Sequence, residues 1–333
     1  MKRLVGSLVL VVGLAAIVGC SSDGGSAAQD GKLRVVTTVS PITNLVQNVG
    51  GDRIALTGIV PEGTNSHTFE PAPSDAAAMA EADLVFMNGL HLEEPTMELA
   101  QANVPEGVPV VQLADETISA DEYIFDFSFP ESGGDPNPHL WTNPLYARAF
   151  AGIIRDELIK ADPQNAATYR SNHDELVERI DALDEAARVA TETVPEENRK
   201  LLTYHDSFPY FAREYGWQVI GAVQPADFSD PTPQEVARLI DQVREQDVPA
   251  IFGSEVFPSP VLESIARETG ATYVDDLRDD DLPGEDGDPD HSYMGLMVYD
   301  FRTFMGALGG NTSAFDGIDT SNVAGEGSAD YRY

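Results

Sequence analysis

The sequence predicts an α/β protein that consists of two Rossmann-like lobes joined by a single long helix. The chain has 333 residues, of which 42% are hydrophobic, and this is enough for two cores of ordinary domain size. β-Branched segments alternate with helical segments before and after the middle of the chain, an order typical of parallel βα units. Between the two alternating regions the chain is strongly helical, with one break near Asp162.

The first lobe is predicted over residues 32–163. Residues 33–40 are apolar and β-branched, which indicates a buried strand, and Pro41 then opens a helix with one apolar face. The remaining elements are a strand at 54–60, a helix at 73–82, a strand at 83–87 and a further strand at 108–113. Residues 123–138 are acidic, aromatic and rich in Pro and Gly, so we expect a loop there.

The linking helix is predicted over residues 164–193. Apolar residues recur at helical spacing, with charged residues between them: Tyr169, Leu176, Ile180, Leu183 and Ala187. A helix of about 30 residues is about 45 Å long at 1.5 Å rise per residue. It is therefore long enough to extend along a two-lobed protein and to join its halves.

The second lobe is predicted over residues 194–308, where the alternation resumes. Strands are expected at 200–204, 217–222, 249–252 and 271–274, and helices at 209–215, 233–245, 261–269 and 293–308. Residues 309–333 are rich in Gly, Ser, Asn and Asp, and we expect them to form a mobile acidic tail.

An acidic run at residues 275–290 raises the possibility of a calcium loop. The run fails the EF-hand pattern, because His291 and Met297 stand where that loop requires Gly and Glu. We therefore expect a solvated charged loop over this stretch.

The N-terminus predicts export and a lipid anchor. After a cationic start, residues 4–18 are almost wholly apolar or small, which is short for a membrane span but fits a signal-peptide core. The run ends in Ile17-Val18-Gly19-Cys20, which resembles the lipobox of bacterial-type lipoproteins, and Cys20 is the only cysteine of the chain. We predict a signal peptide over residues 1–19, lipidation of Cys20, and a flexible Gly/Ser-rich tether over residues 20–31. The protein would then be held on the extracytoplasmic side of the cell membrane.

The charge balance excludes several classes of partner. The chain has 20 Lys and Arg against 56 Asp and Glu, a net charge of −36, and such a surface does not bind nucleic acid. The same field repels anionic substrates and concentrates cations near the surface. The single cysteine excludes a disulfide framework and any multi-cysteine zinc site.

Four of the six histidines are candidates for a metal site. His67, His139, His205 and His291 follow predicted strands or lie in loops, at the edges where open α/β sheets place ligands. Imidazole is the commonest ligand of divalent transition metals, and three or four imidazoles suit Zn²⁺ or its neighbours. Spacing alone leaves open whether the four side chains meet. His91 and His173 are expected to be structural or solvent-facing.

Four short segments and Glu93 give the sequence a family resemblance. They are residues 67–71 (HTFEP), followed by residues 83–89 (DLVFMNG) and Glu93, then residues 138–144 (PHLWTNP), and finally residues 204–211 (YHDSFPYF). In order and spacing they resemble the zinc/manganese cluster of metal-receptor lipoproteins of ABC transporters, over about residues 33–308. The resemblance implies two α/β lobes joined by one rigid long helix, with the metal held in the cleft between them.

The resemblance also implies a ligand set. Carried over onto this sequence, the first three ligands are His67, His139 and His205, and a histidine at the third position is typical of zinc-type relatives. The fourth position is often an Asp before a small residue and Tyr, and aligning Tyr293 places His291 there, with Asp290 beside it as the alternative. The His-rich loop of many zinc-type relatives is absent from residues 114–138.

The predicted function is therefore that of a binding protein and not of an enzyme. We expect a lipid-anchored, monomeric receptor that captures Zn²⁺ as a transported ligand and delivers it to an ABC permease. The alternatives are a Mn- or Fe-specific receptor of the same family, a surface adhesin and a zinc hydrolase. Against the hydrolase, the sequence has no HExxH pair and no Gly-x-Ser-x-Gly elbow.

Overall fold

A computed structural model of the protein describes residues 31–226, 228–256, 260–324 and 329–331. The predicted signal peptide at 1–19, Cys20 and all of the predicted tether except Gly31 lie outside the described residues. In the described part, no helix combines the length and the apolar character that crossing a membrane requires.

Two parallel β-sheets form the framework, one in each half of the chain. The N-terminal sheet contains β1 (Leu33–Thr37), β2 (Ile54–Gly58), β3 (Leu84–Met87) and β4 (Val110–Gln112). The C-terminal sheet contains β5 (Lys200–Thr203), β6 (Gln218–Ala222), β7 (Ala250–Phe252) and β8 (Thr272–Val274). A ninth strand, β9 (Asp330–Tyr331), pairs with β2 at the edge of the N-terminal sheet. All strand pairs in the described residues are parallel, because helices cross over between consecutive strands.

The strand order creates a topological switch point in each sheet. The orders are β4-β3-β1-β2-β9 and β6-β5-β7-β8, so the chain leaves β1 and β5 in one direction and later returns on their other side. In open α/β sheets, ligands bind outside the carboxyl ends of the strands at such points. The loops that follow β1, β3, β5 and β7 are therefore the places to look for a site.

Ten helices connect and cover the sheets in the described residues. They are α1 (Ser40–Gly50), α2 (Pro73–Glu81), α3 (Glu94–Asn103), α4 (Leu113–Thr117), α5 (Pro144–Ala161), α6 (Ala166–Thr193), α7 (Pro209–Tyr215), α8 (Pro233–Glu245), α9 (Pro260–Thr269) and α10 (Tyr293–Ala307). The sequence pattern did not predict α3, which is only weakly amphipathic, or α4, which has five residues.

The long helix α6 joins the two halves and confirms the predicted architecture. Its 28 residues rise about 42 Å, and it begins at Ala166, because Pro163–Asn165 form a separate 3₁₀ turn. Leu176, Ile180 and Leu183 lie on its buried face. This face packs against α1 and α5 from the N-terminal half and against α7 and α10 from the C-terminal half, so one continuous core contacts both halves.

The segment after α10 corrects the prediction of a mobile tail for residues 309–324. Thr312–Phe315 form a 3₁₀ turn, and the Phe315 side chain is buried 5.9 Å from the ring of Phe301. Further on, Asn322 Oδ1 accepts hydrogen bonds from Asn44 and Asn48 of α1, and Arg179 of α6 donates to the carbonyl oxygen of Ser321. The Gly/Ser/Asn/Asp composition indicated an irregular backbone, but the buried aromatic ring and the amide contacts fix that backbone to the body.

Candidate metal centre

Three histidines from separate loops converge between the two sheets. His67 lies in the long loop after β2, and His205 lies two residues beyond the end of β5. His139 directly precedes the short 3₁₀ turn that leads into α5. Its loop is held by Asn88, which follows β3 and whose side chain donates to the Pro138 carbonyl oxygen at 3.0 Å. The N-terminal half thus supplies two imidazoles and the C-terminal half supplies one.

The three Nε2 atoms form a nearly equilateral triangle. The His67–His139 and His67–His205 Nε2 distances are both 3.1 Å, and the His139–His205 distance is 3.0 Å. An ion that lies 2.0–2.1 Å from all three nitrogens, the usual Zn–N distance, would stand about 1 Å above the plane of this triangle. The arrangement fits one face of a tetrahedral site, with the apex open to a fourth ligand.

Hydrogen bonds at the opposite ring nitrogens fix which nitrogen faces the centre. His139 Nδ1 is 2.9 Å from Asn137 Oδ1, and His205 Nδ1 is 2.6 Å from Gln224 Oε1. Amide oxygens only accept hydrogen bonds, so each Nδ1 carries the proton and each Nε2 lone pair points inward. The Asn137 amide cannot be reversed, because its nitrogen already donates to Asp126 and to the Asp206 carbonyl oxygen. Such contacts orient an imidazole for metal binding.

The three imidazoles are kept neutral by their surroundings. His139 and His205 are buried, and His67 is half-buried against the stacked ring of Phe228 at 4.6 Å. Burial is the largest cause that lowers the pKa of all three; it brings that of His205 to about 4 and holds those of His67 and His139 well below 6.5. At neutral pH the three rings are therefore uncharged, and His139 and His205 present Nε2 lone pairs to the centre.

Two aspartates complete the cluster from the C-terminal half. Asp279 Oδ2 is 3.7 Å from His205 Nε2, and carboxylate oxygens of Asp279 and Asp280 lie within 4.8 Å of each other and of a ring nitrogen of His139. Ser66, next to the ligand candidate His67, donates to Asp280 Oδ2 at 2.6 Å. Among the described residues Asp280 Oδ1 is buried without a hydrogen-bond partner. A buried acceptor without a donor is costly, and a cation would satisfy it.

The structure corrects the fourth position. His291, predicted as the fourth ligand, is not part of the cluster, because its Nε2 lies 3.4 Å from Glu62 and its Nδ1 lies 3.3 Å from the Pro283 carbonyl oxygen. Asp290, the alternative, accepts instead from the Thr320 hydroxyl. The alignment on Tyr293 selected the residue nearest to α10, whereas the carboxylates that reach the histidines lie about ten residues earlier in the chain.

The acidic run of residues 275–290 is only partly the solvated loop that we expected. Residues 285–290 are exposed, but Asp279, Asp280 and Asp281 are buried, at 7–8% exposure. Burial is the largest cause that raises the pKa of Asp280 and of Asp281 to about 7, and with the neighbouring Glu255 and Asp280 charges it holds that of Asp279 well above its usual range. This part of the run is a buried cluster of carboxyl groups, which the sequence pattern did not reveal.

The other two histidines lie outside the triangle. His173 of α6 packs beside Arg155 of α5. His91 is half-exposed and contacts Glu94 at 2.7 Å and Asp135 at 3.8 Å. His91 lines a cavity of about 420 Å³ that extends from exposed carboxylates to His67, with Phe129 and Phe228 on its walls. This cavity, lined by the carboxylates of Glu94, Glu98 and Asp135, leads from the surface to the His67 corner of the triangle.

Comparison with known proteins identifies the family. A family model described as zinc-uptake complex component A, periplasmic (ZnuA), matches residues 35–307. The chain belongs to this family. It is therefore a substrate-binding protein of the metal ABC transporter type and not an enzyme, as the sequence motifs predicted.

Relatives of this metal-binding protein carry the names of different metals. A manganese-binding lipoprotein of Halalkalibacterium halodurans is 29% identical over 309 residues, which cover 92% of this chain and 99% of the relative. An iron-binding protein of Yersinia pestis is 31% identical over 268 residues, with coverage of 80% and 83%.

Solved structures share the fold. A periplasmic zinc-binding protein of Treponema pallidum superimposes with a TM-score of 0.76 at 25% identity, over 84% of this chain and 99% of the other. A manganese-bound periplasmic protein of Candidatus Liberibacter asiaticus has a TM-score of 0.74 at 27% identity, with coverage of 83% and 100%.

The triangle predicts which histidine variants lose metal. His139→Ala and His205→Ala remove a neutral, inward-facing nitrogen, so each should weaken Zn²⁺ binding at least about 100-fold, since changes to groups that only orient a ligand already cost 10–100-fold. His291→Ala and His173→Ala are the controls and should leave affinity unchanged. The measurement is competitive titration of the apo-protein against a chelator of known affinity. A loss in His291→Ala as large as that in His205→Ala would contradict the ligand set.

The pKa directions predict that carboxylates, not imidazoles, release protons when metal binds. Burial raises the pKa of Asp280 to about 7 and holds that of Asp279 well above its usual range, so a cation that binds these carboxyls near pH 7 displaces protons, whereas the pKa of His205 is lowered to about 4. Affinity should therefore decline as pH falls below about 7. Titration calorimetry at pH 7 in two buffers of different ionisation enthalpy measures the release. The Asp279→Asn/Asp280→Asn double variant should release fewer protons, and equal release by both proteins would refute the assignment.

Proposed function

We propose that the protein captures Zn²⁺ outside the cytoplasmic membrane and delivers it to an ABC permease. The observation that carries this proposal is the triangle of three inward-facing Nε2 atoms at 3.0–3.1 Å. Zn²⁺ favours tetrahedral sites of nitrogen ligands with an added carboxylate, and the three imidazoles remain neutral at the pH at which capture occurs.

The proposed ligands are His67, His139 and His205 with a carboxylate as the fourth. Asp279 is favoured for that position by its 3.7 Å distance from His205 Nε2, and Asp280 supports it through its unpartnered oxygen. One carboxylate gives the centre a charge of +1 with a divalent ion, and a second would make it neutral. Binding therefore gives the carboxyls buried beside the histidines a cation to pair with when they lose their protons.

A receptor for Mn²⁺ or Fe²⁺ is the alternative, and a specific observation favours it. Two carboxylates stand beside the triangle, and harder ions accept more oxygen ligands than Zn²⁺ does. The names of relatives, which include manganese- and iron-binding proteins, are compatible with this alternative.

The metal is tested by competition and by one substitution. We expect the wild type, incubated with equimolar Zn²⁺ and Mn²⁺, to retain one Zn²⁺ ion per chain. Sites of nitrogen ligands generally bind Zn²⁺ more tightly than Mn²⁺, so retention of Zn²⁺ by the wild type is a weaker test than the comparison with His205→Glu. This variant should lose about tenfold or more in Zn²⁺ affinity and keep its Mn²⁺ affinity. Equal retention of both metals by the wild type would support the Mn/Fe receptor instead.

We also propose that the receptor is a monomer anchored by lipid at Cys20. The support is the lipobox-like Ile17-Val18-Gly19-Cys20 and the lipoprotein names of relatives. A tethered receptor stays close to its permease and need not diffuse away with its cargo.

The anchor is tested separately from the metal. Cys20→Ser removes the thiol to which lipid would attach, so we expect the protein to leave the membrane fraction without detergent and to bind metal as the wild type does. Fractionation followed by immunoblotting measures this. A variant that still requires detergent for release would show that the anchor lies elsewhere.

A further inference from the structure

The segment that carries the site aspartates is held by its backbone in an uncommon way. Four consecutive N–H groups, those of residues 278–281, all donate to side-chain carboxylates. The Arg278 N–H donates to Asp300 Oδ1 at 3.0 Å, and the N–H groups of Asp279, Asp280 and Asp281 converge on Glu255 Oε1 at 3.0, 3.3 and 3.4 Å. No strand or helix of the described residues includes this segment, so its geometry depends on these two acids.

The two carboxylates come from elements that are themselves fixed. Glu255 follows β7, at the switch point of the C-terminal sheet, and Asp300 lies in the middle of α10 with 1% exposure. Both bring a carboxyl group into a region that already holds three buried aspartates; burial raises the pKa of each, and Arg278 is the cation beside them. Gathering acids in one buried place is unfavourable, because each must be paired or kept protonated, so an arrangement that only supported the fold could use amide or hydroxyl acceptors. The cost indicates that the position of the segment matters to the site.

Resting on the proposed function, we propose that Glu255 and Asp300 are positioning residues that set metal selectivity. They act through the backbone, by holding Asp279 and Asp280 at a fixed distance from the three histidines. One residue from each half of the chain also holds the segment. Trp141 Nε1 of the N-terminal half donates to the Asp279 carbonyl oxygen at 2.9 Å, and the Ser207 hydroxyl of the C-terminal half donates to the Asp279 carboxylate. The segment therefore has little freedom to approach an ion or to withdraw from it.

Selectivity follows from how many oxygens reach the ion. With the segment held, one carboxylate oxygen can stand at the open apex of the triangle, which gives a four-coordinate centre suited to Zn²⁺. With the segment released, both aspartates can turn toward the ion, and a centre with more oxygens favours Mn²⁺. Loss of either positioning residue should thus narrow the difference between Zn²⁺ and Mn²⁺ affinity.

The experiment compares truncation with conservative replacement. Glu255→Ala removes the acceptor, and we expect a 10–100-fold loss of Zn²⁺ affinity, a smaller loss for Mn²⁺, and weaker visible d–d absorption of the Co²⁺-loaded protein, the sign of a higher coordination number. Glu255→Gln keeps an acceptor oxygen and should restore the wild-type spectrum and ratio. If Glu255→Ala does not fold, Asp300→Ala is read in the same way, with Asp300→Asn as its conservative partner.

Asp162→Ala is the matched control. Asp162 is also a buried carboxylate that holds a turn, accepting from Asn165 and Tyr169 between α5 and α6. This variant should lower thermal stability and leave the Co²⁺ spectrum unchanged. Wild-type protein that binds no Zn²⁺ or Mn²⁺ would refute the proposed function itself. Normal wild-type binding, together with Glu255→Ala and Asp300→Ala variants that keep the spectrum and the Zn²⁺/Mn²⁺ ratio, would overturn the positioning role alone.

Discussion

The convergence of three imidazoles and several carboxyl groups in one enclosed place is the constraint on which the rest of the structure depends. The three Nε2 atoms lie 3.0–3.1 Å from one another, beside aspartates that are almost fully buried. Arg278 is the cationic side chain that acts on the neighbouring acids Glu255 and Asp281. An incoming positive ion would find these ligand atoms already gathered, and hydrogen bonds hold the groups that carry them in place.

The fold holds these groups together because the ligands come from places that cannot move independently. His205 and Glu255 follow neighbouring strands of one sheet, and the His67 and His139 loops are attached to the other. The helix α6 packs on both halves, and residues 319–324 cross from α6 to α1 and to the start of α10. A triangle assembled from both halves therefore rests on a continuous core instead of on two separate bodies.

The sequence was enough to predict most of the fold and three of the candidate ligands. Hydrophobic periodicity and the positions of Pro and Gly indicated the strands and the long helix. The order of the motifs indicated His67, His139 and His205, because all of these signals are local in the chain. The fourth corner is not local: the segment that carries Asp279 is held by four backbone hydrogen bonds to Glu255 and Asp300, which lie 20 or more residues away in the chain. The acidic composition indicated exposure to solvent, since composition does not reveal that Asp279–Asp281 are enclosed by the opposite half. The packed segment after α10 was missed for the same reason, because the burial of Phe315 and the amide contacts of Asn322 are long-range.

The position of Trp141 makes it an intrinsic fluorescence probe of the site. The Trp141 ring lies 5.0 Å from that of His139, and its indole N–H is bonded to the backbone of Asp279. The chain has one other tryptophan, Trp217, which packs between Phe211 and Phe304 and donates to Thr191, away from the histidines. We therefore expect the ultraviolet emission of Trp141 to respond to occupancy of the centre and that of Trp217 to form the background, so cargo exchange can be followed in real time without any attached dye.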